Sequence, residues 1–174
     1  MKIAAEEHFL APGEFHFETR AVQLRTLLGS CVAITLWHPV RKIGAMCHFM
    51  LPSRVRKSEA LSGKYGDEAI ELFIGQAVAH GTVAEDYQLK LFGGGEMFPA
   101  LRQHLHFNDV ARMNISAALK MADHYHLDLI AHDMGSTGHR NIIFDIGTGH
   151  VWVSHKPIRT STNNGHEKNK CTVG

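Results

Sequence analysis

Short apolar runs broken by Gly, Ser and Pro occupy the first fifty residues, and a three-to-four-residue periodicity takes over afterwards. Residues 14–18 (EFHFE), 22–28, 31–37 and 44–51 are rich in Val, Ile, Phe and Thr, the composition of strands. Residues 38–42 (HPVRK) lie between two of these runs as a hairpin connection. Residues 52–64 are polar, basic and Ser/Gly-punctuated, which predicts an exposed loop that could face a substrate.

Across residues 66–80, Ile70, Phe73, Ile74, Ala77 and Val78 recur at helical spacing and define one apolar stripe. Asp67 and Glu68 at its start suit the positive end of the helix dipole. A strand over 88–92 runs into Gly93-Gly94-Gly95. A second helix is predicted over 110–126, with Val110, Met113, Ala117 and Met121 along one side and Asn108 or Asp109 as its cap. Strands return over 127–131, 141–146 and 150–154, the last two joined through Gly147-Thr148-Gly149 as a tight hairpin. Two helices against a largely antiparallel strand system make the fold class α+β. The expected organisation is one domain over 1–155 followed by a polar, aperiodic tail over 156–174.

Composition narrows the function. At 174 residues and 44% hydrophobic, the chain can bury a full core, and a net charge of +1 offers no basic footprint for nucleic acid. The opening MKIAAEEH lacks the apolar segment of a signal peptide, and no stretch reaches the length of a membrane span. Three cysteines do not make a disulfide framework, and Cys171 falls in the tail; the expectation is a cytoplasmic domain with reduced thiols. Fourteen histidines invite a metal, but none stands in a His-x-x-x-His or Cys-x-x-Cys arrangement, so neither metal nor cofactor is expected. Gly93–Gly95 lacks the Gly-Lys-Ser/Thr ending of a phosphate loop, and Asp133 and Asp145 read as loop caps at strand ends, with an acid–base pair as the alternative.

The chemistry concentrates in TLLGSCVAITL (26–36) and GAMCHFMLP (44–52). Cys31 follows a Gly29-Ser30 turn, and His48 lies on the next strand, so two neighbouring strands can bring a thiol and an imidazole together as nucleophile and base. Gly29 can supply a positive φ or a close approach, freeing the amides of Ser30 or Cys31 as oxyanion donors. An imidazolium beside the thiol would lower its pKa, and Thr26, on the strand leading into the turn, can orient the imidazole. Cys47 alternates to the opposite strand face and belongs in the core. A core cysteine and a structural histidine fit the same pattern.

Those two segments resemble the signature of the chemoreceptor glutamine deamidases, the CheD family. The resemblance continues through Tyr65–Ile70, Lys90–Gly95, Asp133-Met134-Gly135 and Phe144–Gly149, covering roughly residues 14–155. It departs at Val110–Asn114, at Gly135-Ser136 and at His139. The resemblance implies packed β-sheets flanked by helices, a layered α/β/β sandwich. It implies hydrolysis of chemoreceptor glutamine side chains to glutamate with release of ammonia, with Cys31 as nucleophile, His48 as base and acid, and Thr26 as the orienting hydroxyl. It also implies chemoreceptor helices as substrate, activity on glutamyl methyl esters, and a CheC-type phosphatase as a second partner. The alternative function is a non-catalytic chemotaxis adaptor holding a receptor or that phosphatase.

Overall fold

The computed structural model describes residues 6–56, 60–101 and 107–158. In chain order the elements are β1 (Glu7–Phe9), β2 (Phe15–Glu18), β3 (Gln23–Leu28), β4 (Val32–His38), β5 (Ile43–Phe49), α1 (Gly66–Ala79), β6 (Gln88–Gly93), α2 (Phe107–His124), β7 (Asp128–Met134), β8 (His139–Asp145) and β9 (Val151–Lys156). They form a four-stranded sheet, β1-β3-β8-β9, and a five-stranded sheet, β2-β5-β4-β6-β7. Pairing is antiparallel except for β1 with β3 and β6 with β7. The fold is the expected α+β sandwich, layered helices, sheet, sheet.

The middle layer explains why β4 and β5 read as continuous apolar runs: both faces are covered, and all seven residues of β5 are buried. Val32, Ile34 and Leu36 of β4, with Ala45, Cys47 and Phe49 of β5, pack against Ile70 and Phe73 of α1 and Ala118 and Met121 of α2. Their alternate neighbours Ala33 and Met46 face the other sheet, meeting Leu24 and Leu28 of β3 and Ile142 and Phe144 of β8. Cys47 thus lies in the helix-facing core as expected. Arg140 of β8 ties the sheets together, its guanidinium donating to Asp133 of β7 at 3.0 and 2.9 Å.

Several boundaries moved. β1 is a three-residue parallel edge strand, too short to show a period of two. Asn108 and Asp109 lie inside the first turn of α2, not at its cap. The buried face of α2 runs through Ala111, Asn114, Ala118, Met121 and Ala122, while Met113 is 54% exposed. The polar Asn114 hid that face from a hydrophobic count. Val78 of α1 likewise points outward. The 52–64 loop is partly anchored: Glu68, read as a dipole residue, binds the Arg54 guanidinium and accepts from the Ser62 amide at 2.8 Å. β9 runs on to Lys156, and the tail expected beyond it falls, from residue 159 and including Cys171, outside the described residues.

Candidate active site

Gly29, Ser30 and Cys31 carry the chain from the end of β3, in one sheet, to the start of β4, in the other. Cys31 therefore sits at the mouth of the seam between the sheets, half-buried against the inter-sheet core. Gly29 is not among the residues with positive φ. A Cβ at Gly29 would stand 3.1 Å from Met97 Sδ, a tight approach that the flexible Met97 side chain would have to accommodate.

The strained glycines are instead Gly93 and Gly94, at φ 108° and 62°. A Cβ on Gly93 would fall 2.3 Å from the Cys31 carbonyl oxygen. The Gly94 amide donates to Cys31 O at 2.7 Å and the Gly95 amide to Gly29 O at 2.8 Å. The triple glycine thus spends two of its N–H groups holding the cysteine turn, and its likeness to a phosphate loop is superficial. The amides of Ser30 and Cys31 themselves donate to no partner among the described residues.

His48 is placed by register. Val32 pairs with Phe49 and Ala33 with His48, so continuing the ladder sets Cys31 across from Met50 and diagonal to His48 on one face. Diagonal cross-strand neighbours have Cα atoms about 7–8 Å apart, within reach of longer side chains. The imidazole points into the seam and meets Thr26 of β3 across it, Nδ1 to Oγ1 at 2.7 Å. Thr26 Oγ1 also donates to Leu10 O at 2.7 Å. A hydroxyl has one proton, so with that proton on Leu10 the imidazole must donate, and Nδ1 carries the hydrogen. The lone pair is left on Nε2, which is buried with no partner among the described residues. The segment after β1 fastens this arrangement: Gly13 N donates to His48 O at 2.8 Å, and His48 N to Glu14 O at 2.9 Å.

Both side chains are uncharged at neutral pH. Burial pushes the His48 pKa down to about 4, against the pull of the Glu14 carboxylate, and burial pushes the Cys31 thiol up. The expected imidazolium that lowers the thiol pKa is not the resting state: His48 is neutral and the Cys31 thiol is shifted up.

Asn114 of α2 was missed in the sequence and is fully buried. Its amide nitrogen donates to Ser30 O at 3.2 Å and Met50 O at 2.9 Å, pinning the turn to the end of β5. In front of Cys31 opens a cavity of about 320 Å³, lined by Met50, Leu51, Met97, Phe98 and Val110 with Lys64 from the 52–64 loop. Asp145 caps the β8–β9 turn by accepting from Thr148 N at 3.0 Å, whereas Asp133 is engaged with Arg140.

Residues 50–155 match the family model described as CheD chemotactic sensory transduction. A protein of Pseudomonas fluorescens (strain SBW25), named probable chemoreceptor glutamine deamidase CheD, is 56% identical over 172 residues, covering 99% of this chain and 97% of its own. A protein of Chromobacterium violaceum, named probable chemoreceptor glutamine deamidase CheD 1, is 42% identical over 151 residues, covering 86% of this chain and 78% of its own. The chain belongs to the CheD family. Among the described residues no helix is long and apolar enough to cross a membrane.

Proposed function

We infer that this protein is a chemoreceptor glutamine deamidase, a hydrolase that converts receptor glutamine side chains to glutamate through a Cys31 thioester. The observation carrying this reading is the Leu10–Thr26–His48 chain, which leaves a free Nε2 lone pair on the imidazole that shares a sheet face with Cys31. The names of the relatives support the substrate class.

In the proposed reaction, His48 Nε2 takes the Cys31 proton as sulfur attacks the carboxamide carbon. The free amides of Ser30 and Cys31 receive the oxyanion. The resulting imidazolium, a strong acid because its site is dry, protonates the departing nitrogen, without which an amide does not leave. Ammonia departs and a thioester remains. His48 then removes a proton from water, the hydroxide displaces sulfur, and the thiol is regenerated. Each turnover consumes one water and adds one negative charge to a receptor helix. Among neighbouring helices that charge alters packing by like-charge repulsion.

The apolar mouth around Met50, Met97 and Phe98 is where a receptor helix would lie, and a CheC-type phosphatase seated there would compete with it. Incubated with a glutamine-bearing receptor fragment, the parent protein releases ammonia and the His48→Gln variant does not. Release by Cys31→Ala at the parental rate would sink the assignment.

A further inference from the structure

We propose that His8 and His16, with Glu18, form a binding site for a zinc-class divalent ion that clips the edges of the two sheets together. This site is independent of the deamidase reading. β1 is an edge strand of the four-stranded sheet and β2 an edge strand of the five-stranded sheet, so His8 and His16 come from different sheets and meet at the open seam. Their rings stack with centroids 5.2 Å apart. One ring nitrogen of each and a carboxylate oxygen of Glu18 lie within 4.8 Å of one another. Both Nε2 atoms are buried without a hydrogen-bond partner among the described residues. Each nitrogen stands beside a carboxylate, His8 Nε2 3.3 Å from Glu6 and His16 Nε2 3.5 Å from Glu18, and a metal ion would satisfy both imidazoles together.

The carboxylate is prepared for that role. Glu18 Oε1 accepts from the amides of Thr19 and Arg20 at 2.8 and 2.9 Å and from Arg20 Nε at 3.3 Å. Oε2 stands 3.5 Å from His16 Nε2 and holds only one Arg20 nitrogen, at 3.1 Å. The other charges facing the site are Glu6, whose Oε1 is 3.3 Å from His8 Nε2, Arg20, which also donates to Glu6 at 2.9 Å, and Glu14 on the cavity wall. Imidazole plus carboxylate suits zinc, nickel or copper better than magnesium or calcium. Tetrahedral zinc with Zn–N near 2.0–2.1 Å sets its ligand atoms roughly 3.4 Å apart, against the 4.8 Å within which these atoms lie.

The ion would have a consequence for the neighbouring site. β1 and β2 bracket residues 10–14, which supply the Leu10 carbonyl to Thr26 and both backbone bonds to His48. Clipping the two strands therefore fixes that segment.

The test uses the full chain, freed of metal with a chelator and titrated with zinc by calorimetry, beside His8→Gln, His16→Gln and the double variant. One tight zinc per chain is expected in the parent, with affinity at least about tenfold weaker in each single variant and that site lost in the double. In hydrogen exchange, zinc should slow the Gly13 and His48 amides of the parent alone. Imidazole NMR of the parent, with His8 and His16 shifting first, gives the same answer should the double variant fail to fold. Zinc binding of unchanged affinity in a folded double variant, first shifts at other histidines, or no binding by the parent would overturn the proposal.

Discussion

Thr26 Oγ1 and His48 Nδ1 lie 2.7 Å apart across the seam between the two sheets, and the hydroxyl's only proton is committed to Leu10 O. The pair therefore fixes the imidazole tautomer from a different sheet than the one that carries it. Thr26→Val keeps the volume but leaves a buried Nδ1–H without an acceptor, a loss of about 1–3 kcal/mol in stability. Turnover should fall at least about tenfold as the tautomer is freed. Thr26→Ser should retain most of both. Denaturant titration and ammonia release on the two variants check this, and equal damage by Ser and Val would place the effect in packing.

The lowered His48 pKa makes a pH prediction with a definite sign. Folded at about 4 and ordinary at 6.5, the imidazole binds more protons in the unfolded chain between those values. Its contribution to stability is complete above pH 6.5 and is lost as pH falls toward 4, by about 3 kcal/mol. Glu18, at about 2 against an ordinary 4.5, loses its contribution in a separate window below 4.5. Urea unfolding at a series of pH values should show the upper window in the parent and not in His48→Gln.

The proposed reaction starts from the Cys31 thiol, not from a preformed thiolate. Alkylation by iodoacetamide should rise with pH through a midpoint above that of an ordinary cysteine, because burial opposes ionisation. Cys47, fully buried and pushed up to about 12, should stay unlabelled until the chain unfolds. Peptide mass spectrometry of labelled protein across pH separates the two. A Cys31 midpoint near or below 7 would restore the ion-pair picture.

Asn114 acts at one remove, through the carbonyls of Ser30 and Met50. Asn114→Ala should lower kcat more than it changes KM, since the turn loosens while the apolar mouth stays. The expected stability loss is about 1–3 kcal/mol for the carbonyls left unpaired. Steady-state kinetics with a receptor fragment test this, and a change confined to KM would contradict a positioning role.

The parts of this site that were legible in the sequence are those whose signal is local. The strand alternation of residues 31–37 and 44–51 put Cys31 and His48 on adjacent strands and Cys47 on the other face. The Thr26 hydroxyl was readable as an orienting group from its place on the strand before the turn, although the partner that fixes its proton, Leu10 O, comes from a loop after a three-residue strand. Asn114 was hidden because a buried polar residue on a helix looks like an exposed one when only apolar positions are counted. The Gly93–Gly95 run was visible, but its role depends on the approach of the Cys31 carbonyl, sixty residues away in the chain. The low pKa of His48 follows from burial between two sheets, which no spacing reveals.

Whether Cys31 deamidates receptor glutamine is decided by intact-mass and peptide mass spectrometry of a chemoreceptor cytoplasmic fragment incubated with this protein, beside its Cys31→Ala variant. Amide-to-acid exchange adds about one dalton per glutamine, and the account predicts that gain at defined glutamines with the parent alone. A fragment left unchanged by the folded parent despite stable binding, or changed equally by Cys31→Ala, would contradict it and favour a non-catalytic adaptor or a different nucleophile.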